Sequence, residues 1–196
     1  MGRPLIKIGF YGDSHMHHDG YVKQLEIKLA RKLSMHDIEV INYAVGGFTS
    51  RDVVNVIASH DDKFDISFLG VGTNDVWRKF QERVSESVDC DEYKSNINMI
   101  LERLIRVSRS VYVIGIPPFN MHREYGHMNK VVMQYNAALE KEAQKYSIHF
   151  VDTYSVLRDK HLDFSIWIDD AHLSDIGNLI VAESIYGQLD AQKILE

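Results

Sequence analysis

Residues 5–14 read LIKIGFYGDS, a nearly continuous apolar run that ends in a short polar turn. Four further runs of this kind follow along the chain, at residues 38–43, 65–71, 111–116 and 148–151. Short runs that are apolar almost throughout are typical of strands that a parallel sheet buries on both faces. The sequence therefore predicts five strands in one parallel sheet.

Segments of helical periodicity separate these runs. Apolar residues recur at three- and four-residue spacing in segments 22–33, 97–105, 128–139 and 175–189, and Ser174 is the predicted N-cap of the last one. Strands that alternate with helices predict a doubly wound α/β fold, a three-layer α/β/α sandwich. Because the chain has 196 residues and neither an internal repeat nor a Pro- or Gly-rich linker, we expect a single domain over residues 1–196.

The charge balance and the cysteine count exclude several classes of protein. The chain has 22 Lys and Arg against 28 Asp and Glu, and no long basic run, which argues against binding to nucleic acid or to an anionic membrane. Its single cysteine, Cys90, rules out an internal disulfide and a cysteine-rich metal site. No segment has the length of a membrane span and no signal peptide is visible, so we expect a cytoplasmic protein without membrane insertion.

Four polar motifs carry the candidate chemistry. Three follow predicted strands and the fourth opens the last helix: GDS at 12–14, NYAVGG at 42–47, GTND at 72–75 and DDAH at 169–172. The carboxyl ends of parallel strands meet at one edge of a sheet, where open α/β folds place their ligands. The fourth motif can reach that edge from the loop before the last helix. We therefore expect the four motifs to form one site.

Together these motifs supply the groups of an acyl-transfer site. The Ser14 hydroxyl can project from the turn between a strand and a helix, and a neighbouring base would make it a nucleophile. His172 could be that base, and Asp169, three residues earlier, could accept its Nδ1 proton and fix its tautomer. The backbone N–H groups of Ser14 and Gly47 and the side-chain amide of Asn74 are the natural donors of an oxyanion hole.

In this order and placement, the motifs resemble the signature blocks of the SGNH (GDSL-type) hydrolase family over residues 12–172. Two positions depart from the family pattern: His15 stands where many members have Leu, and Ala44 replaces a common Gly. The resemblance implies a flavodoxin-like fold with a five-stranded parallel sheet. It also implies Ser14 as nucleophile, His172 as base and Asp169 as its orienting residue, with the oxyanion hole as given above.

Each motif taken alone also has a purely structural interpretation. Ser14 could cap a helix, Asn74 and Asp75 could form a turn, and Asp169 and Ser174 could cap the last helix. This interpretation leaves the histidine of the fourth motif unexplained. The ordered set of four motifs therefore favours the catalytic hypothesis.

Candidate pocket residues lie next to the motifs. His15 and Asp13 adjoin the predicted nucleophile, and Asp13 is expected mainly to accept hydrogen bonds from loop N–H groups. Trp77 and Phe119 follow the third and fourth strands as candidate pocket walls, with ordinary packing as an equal alternative.

Three histidines, His15, His17 and His18, cluster just after the predicted nucleophile. Because no carboxylate scaffold accompanies them apart from Asp19, we interpret them as exposed loop residues that line the cleft, and we predict no metal site. An acyl-enzyme mechanism needs no organic cofactor either.

The function predicted from the sequence is that of a serine esterase that acts on a small-molecule carboxylic ester. Because the chain lacks a large insertion that would build a lipid tunnel, a small acyl group such as acetyl on a carbohydrate or metabolite is the first expectation. The alternatives are a lysophospholipase, a thioesterase or an acyltransferase with the same triad, and a catalytically idle domain that binds carbohydrate or protein. The sequence leaves the oligomeric state open.

Overall fold

A five-stranded parallel sheet forms the centre of the computed structural model, which describes residues 3–17, 20–81, 83–160 and 164–189. Its strands are β1 (Leu5–Gly12), β2 (Asp37–Asn42), β3 (Phe64–Gly70), β4 (Ser108–Ile114) and β5 (His149–Val151). They lie in the order β2-β1-β3-β4-β5, and all neighbours are parallel. All five predicted strands are confirmed, with bounds that differ by at most three residues.

Helices cover both faces of the sheet. They are α1 (Tyr21–Lys32), α2 (Ser50–Ala58), α3 (Thr73–Trp77), α4 (Cys90–Val107), α5 (Asn129–Lys145), α6 (Thr153–Arg158) and α7 (Asp175–Gln188). Residues of α1, α6 and α7 pack against Ile8 and Phe10 on one face. Residues of α2, α4 and α5 pack against Tyr11 and Leu69 on the other. This arrangement confirms the predicted three-layer α/β/α sandwich.

The sequence analysis did not predict helix α2, which is only nine residues long. Its N-terminus carries a capping box in which the Thr49 N–H donates to Asp52 Oδ2 at 2.8 Å. This pair, together with the helical spacing of Val53, Val56 and Ile57, is the sequence signal that could have revealed the helix. The predicted N-cap of α7 is confirmed, because Ser174 Oγ accepts a hydrogen bond from the N–H of Gly177.

Hydrogen bonds between loops hold the carboxyl edge of the sheet together. The N–H of Asp13 donates to the Gly70 carbonyl at 3.2 Å, and the N–H of Val45 donates to the Gly12 carbonyl at 3.2 Å. The Asn42 side chain donates to the Met16 carbonyl at 2.8 Å. The loops that follow β1, β2 and β3 are therefore fixed against one another. Within the described part of the chain, no helix is both long enough and apolar enough to cross a membrane.

Candidate active site

Ser14 lies in the turn that follows β1, at the carboxyl edge of the sheet. Its hydroxyl oxygen is 3.1 Å from Nε2 of His172. Helix α1 begins only at Tyr21, with Gly20 at the N-cap position, so the structural alternative in which Ser14 caps a helix is wrong. Strand β1 ends at Gly12, and the turn that follows places the Ser14 hydroxyl next to the His172 imidazole.

The His172 ring is held between Ser14 and Asp169. Its Nδ1 is 2.8 Å from Asp169 Oδ2, while Asp169 Oδ1 accepts the N–H groups of Ala171 and His172 at 2.8 and 2.7 Å. The His172 carbonyl in turn accepts the N–H of Ile168 at 3.0 Å. One carboxylate therefore orders both the loop backbone and the imidazole, and it selects the tautomer that presents Nε2 to Ser14.

The same hydrogen bonds determine the charge of Asp169. Partial burial raises the pKa of its carboxyl group, but the hydrogen bonds from the His172 and Ala171 N–H groups and from the His172 ring outweigh burial. The net pKa of Asp169 lies below its ordinary value, and the group is a carboxylate at neutral pH. A carboxylate beside Nδ1 stabilises a positive charge on the imidazole.

Two backbone N–H groups of the motifs, both predicted as oxyanion donors, have no hydrogen-bond partner among the described residues. Phe48 N–H donates to the Val45 carbonyl at 3.2 Å and closes a turn in which Gly47 has φ +86°, a value that glycine adopts without strain. Within the described residues, the N–H groups of Ser14 and Gly47 donate no hydrogen bond. Asn74 Nδ2 donates to the Phe48 carbonyl at 2.9 Å, which leaves its second amide hydrogen for a ligand.

Two buried residues of the motifs, Asp75 and Ala44, pack below the loops that carry the site. Asp75 is buried, and its carboxylate accepts both the N–H and the hydroxyl of Ser50 at the first turn of α2. Burial raises the pKa of Asp75 to about 7, against the lowering effect of the Ser50 hydrogen bonds. Ala44, where a glycine was expected, is buried, and its N–H donates to the Asn42 side chain at 2.9 Å, so the extra methyl group is packed without loss of the loop contact.

Asp13 and Phe119 lie beneath the pocket surface rather than on it. Asp13 is buried, and its carboxylate accepts the N–H groups of His15 at 3.1 Å and Thr73 at 3.3 Å, as expected of a loop acceptor. Phe119 is 1% exposed, and its N–H donates to the Asn129 side chain. Both residues were candidates for the pocket wall. Because they are buried, they lie behind the wall and support the loops that form it.

His15 is 5% exposed, so the expectation that it is an exposed loop residue is wrong. Its ring lies 5.9 Å from the His172 ring, and its Nε2 is buried without a hydrogen-bond partner in the described residues. Burial lowers the pKa of His15, against the opposing effect of the Asp13 carboxylate. A neutral imidazole beside His172 avoids charge repulsion when His172 takes up a proton.

His17 lines the cleft in the described structure, and His18 and Asp19 lie outside the described residues. Among the residues that the structure describes, no three His, Cys, Asp or Glu side chains are grouped closely enough to hold a metal ion.

Replacing His15 by Leu should remove an acid-dependent loss of stability. Because the folded-state pKa of His15 lies below its ordinary value of 6.5, the unfolded chain binds a proton below pH 6.5 that the folded chain does not bind. This difference in proton binding is absent above pH 6.5, and it lowers the free energy of unfolding as the pH falls below that value. Urea unfolding of His15→Leu at pH 8 and pH 5 should therefore show a smaller decrease than wild type. His122→Leu makes the same substitution at an exposed position. The decrease should be smaller in His15→Leu than in His122→Leu, and an equal decrease in these two variants would contradict the assignment.

Aromatic side chains close the site between the loops that follow β3 and β4. The Trp77 ring packs edge-on against Phe119, Tyr125 and His172, with ring centroids 5.9, 5.9 and 6.1 Å away. The indole Nε1 is buried and has no partner among the described residues. Of the predicted wall residues, Trp77 is therefore the one that stands beside the imidazole.

A cavity of about 330 Å³ opens on another side of Ser14 and His172, and it is lined in addition by His15, His17, Gly20, Ile168, Leu173 and Asn178. A second cavity, of about 240 Å³, lies at the opposite edge of the sheet beside Arg109, Tyr112 and His149. Of these two cavities, only the first is lined by a serine hydroxyl and an imidazole within hydrogen-bond distance of each other, so it is the candidate substrate cavity.

Comparison with solved structures shows the same fold in known esterases and related hydrolases. Axe2, an acetylxylan esterase from Geobacillus stearothermophilus, has 22% sequence identity and a TM-score of 0.82, and the match covers 99% of this chain and 96% of that chain. LAE5, an alpha/beta hydrolase enzyme from the metagenome of Lake Arreo, Spain, has 20% identity and a TM-score of 0.81, over 95% of this chain and 97% of that chain. No curated protein matches the sequence at a significant level.

The sequence itself matches a family profile over most of its length. The profile of the GDSL-like Lipase/Acylhydrolase family covers residues 10–180, which include all four polar motifs. The resemblance to SGNH hydrolases is thereby confirmed, and the chain is an ester-hydrolysing enzyme that belongs to the GDSL-like lipase/acylhydrolase family.

Proposed function

We propose that this enzyme is a serine esterase that forms an acyl-enzyme at Ser14, with His172 as general base and Asp169 as its orienting carboxylate. The observation that carries the proposal is the continuous chain of contacts from Asp169 Oδ2 to His172 Nδ1, 2.8 Å, and from His172 Nε2 to Ser14 Oγ, 3.1 Å. Both distances lie within the range at which a proton passes between such groups.

The mechanism follows from these contacts. Ser14 Oγ attacks the ester carbonyl carbon while its proton passes to His172 Nε2, and Asp169 stabilises the imidazolium. The carbonyl oxygen becomes an oxyanion that accepts hydrogen bonds from the N–H groups of Ser14 and Gly47 and from the Asn74 amide. Collapse of this intermediate breaks the C–O bond, and His172 returns the proton to the departing alcohol. Water, deprotonated by His172, then releases the acid and restores Ser14.

The comparison structures support these roles. Catalytic mutants of Axe2 with alanine in place of a serine, an aspartate or a histidine match this chain with TM-scores of 0.81 to 0.84. The aspartate and histidine of those mutants are three residues apart, as Asp169 and His172 are here. A triad of the same residue types and spacing on the same fold is consistent with the proposed roles.

We assign the acyl group of the ester to the side of His172 that Trp77 contacts, and the alcohol to the side that opens into the cavity of about 330 Å³. The aromatic cluster of Trp77, Phe119 and Tyr125 fills the space beside His172, so a long acyl chain has little room there. The cavity of about 330 Å³ mixes imidazole, amide and aliphatic groups, which suits an alcohol with both polar edges and apolar faces, such as a carbohydrate. The proposed substrate is therefore a small acyl ester, acetyl above all, of a carbohydrate or a related metabolite.

Hydrolysis of p-nitrophenyl esters from acetyl to dodecanoyl tests this assignment. We expect kcat/KM to be highest for acetyl and to fall with each added pair of methylenes, with a Ser14→Ala blank subtracted throughout. Trp77→Ala should raise the ratio of butyryl to acetyl turnover by about tenfold or more, because one or two methylenes in a pocket are worth ~1–3 kcal/mol.

The control for this test is Phe80→Ala. Phe80 lies in the turn after Trp77 and contacts His127 rather than His172, so its variant should keep the wild-type preference. A wild-type preference for octanoyl or longer chains would contradict the small-acyl assignment and favour a lipid or thioester substrate. An unchanged ratio in Trp77→Ala would show that another wall sets the acyl size.

A further inference from the structure

The turn that carries Gly47 is held by two side chains, Asn74 on α3 and Arg78, the residue that directly follows α3 and whose N–H donates to the Asn74 carbonyl. Asn74 and Arg78 are four residues apart, a spacing that places side chains next to each other on a helix. Asn74 Nδ2 donates to the Phe48 carbonyl at 2.9 Å, and Arg78 Nη2 donates to the Gly47 carbonyl at 2.5 Å. Two successive carbonyls of one turn are thus tied to α3 and to the residue that follows it. The motifs singled out in the sequence include Asn74 but not Arg78.

Within this turn, Gly47 is the residue with few other contacts: among the described residues, the bond that its carbonyl accepts from Arg78 is its one hydrogen bond. Gly47 has no side chain to pack and has φ +86°, and one hydrogen bond, from Phe48 N–H to the Val45 carbonyl, closes the turn. A glycine in a surface turn has access to many other backbone conformations. The hydrogen bond from Arg78 fixes the carbonyl of the same residue whose N–H is a proposed oxyanion donor.

The Arg78 guanidinium is itself held in place. Its side chain is only 17% exposed, and Nη1 lies 3.4 Å from Glu86, which also pairs with Arg83. One edge of the planar group therefore reaches a carboxylate while another nitrogen reaches the Gly47 carbonyl. A lysine ammonium has no rigid fork of this kind, so it can replace the charge but not both contacts at once.

We propose that Arg78 is a positioning residue for the oxyanion hole. It fixes the backbone of Gly47 so that the Gly47 N–H points to the place where the oxyanion forms, and it adds positive potential near that charge. This inference rests on the proposed acyl-enzyme function. Preorganised donors of this type act on the transition state more than on the bound ester, so loss of the tether lowers kcat rather than raising KM.

The test compares four variants with p-nitrophenyl acetate, with kcat expressed per active site as counted by fluorophosphonate titration. Arg78→Ala should lower kcat by about 10- to 100-fold with little change in KM, below the loss expected for removal of an oxyanion donor itself. Arg78→Lys should recover part of that loss. Arg83→Ala is the matched control, since Arg83 pairs with Glu86 but does not contact Gly47, and Glu86→Gln keeps the Arg78–Gly47 hydrogen bond. Arg83→Ala should stay within about twofold of wild type, and Glu86→Gln should lose less activity than Arg78→Ala because it weakens only the Nη1 contact.

Several results would overturn the inference. Equal kcat in Arg78→Ala and Arg83→Ala would exclude a role for the Gly47 contact, as would a loss that appears only in KM. If Glu86→Gln lost as much activity as Arg78→Ala, the ion pair rather than the tether would be responsible. Ser14→Ala is measured in parallel: an active Ser14→Ala enzyme would refute the proposed function, whereas an inactive one beside a fully active Arg78→Ala would refute only the role of Arg78.

Discussion

Ser14→Ala and His172→Ala should each lower kcat/KM for p-nitrophenyl acetate by about 10⁴-fold or more, with thermal unfolding close to wild type. The first variant removes the atom that forms the covalent bond, and the second removes the base 3.1 Å from it. Neither substitution leaves a large cavity in the core, because both side chains lie at the surface of the cleft. Initial rates with each variant, together with a melt followed by circular dichroism, measure the two quantities separately.

Matched substitutions away from the site control this prediction. Ser85 is exposed between α3 and α4, and His60 precedes β3 at the opposite edge of the sheet from Ser14. Ser85→Ala and His60→Ala should keep wild-type turnover. If Ser14→Ala or His172→Ala retained turnover near that of these controls, the assignment of nucleophile or base would be wrong.

Fluorophosphonate labelling distinguishes a slow enzyme from a different site. Wild type should acquire the label at Ser14, Ser14→Ala should not, and His172→Ala should react slowly because its serine lacks a base. Labelling of wild type at a serine other than Ser14 would contradict the proposed nucleophile even if p-nitrophenyl acetate were hydrolysed.

The parts of the fold that the sequence predicted are those that short-range patterns determine. Strands buried on both faces appear as apolar runs, so β1 to β5 could be located within a few residues. The short helix α2 carries its signal in only nine residues: the Thr49 and Asp52 capping pair and the helical spacing of Val53, Val56 and Ile57. Its N-terminus also depends on the buried Asp75, 25 residues away in sequence from its partner Ser50, a contact that no local pattern reveals.

The candidate triad was predictable because its residues stand at recognisable places along the chain. Ser14 follows β1, and Asp169 and His172 share one loop, so spacing alone brought two of the three together. Burial was not predictable in the same way. His15 adjoins Ser14 in a polar loop, yet its ring turns inward, and Arg78 meets Gly47 across 31 residues of sequence. Such contacts depend on how two loops and a helix meet in three dimensions.

Asp169→Asn should lower kcat/KM by about 10³- to 10⁴-fold, less than the loss expected for the nucleophile or the base. An asparagine can keep the oxygen that accepts the N–H groups of Ala171 and His172, so the loop should stay in place. Its amide nitrogen would then face His172 Nδ1, and a donor there favours the tautomer in which Nε2 carries the proton and cannot accept one from Ser14. The stabilisation of the imidazolium would be lost as well.

Asp170→Asn provides the control for this last variant, since it makes the same chemical change one residue along the same loop. We expect Asp170→Asn to retain turnover within a fewfold of wild type and both variants to unfold at similar temperatures. Turnover of Asp169→Asn within tenfold of Asp170→Asn would mean that His172 keeps its tautomer without the carboxylate. The contacts of Ile168 with the His172 carbonyl and of Asn120 with the Asp170 carbonyl would then be the ones that orient the base. A large loss at Asp169 alone, with the fold intact, requires instead that the carboxylate act through the imidazole on Ser14.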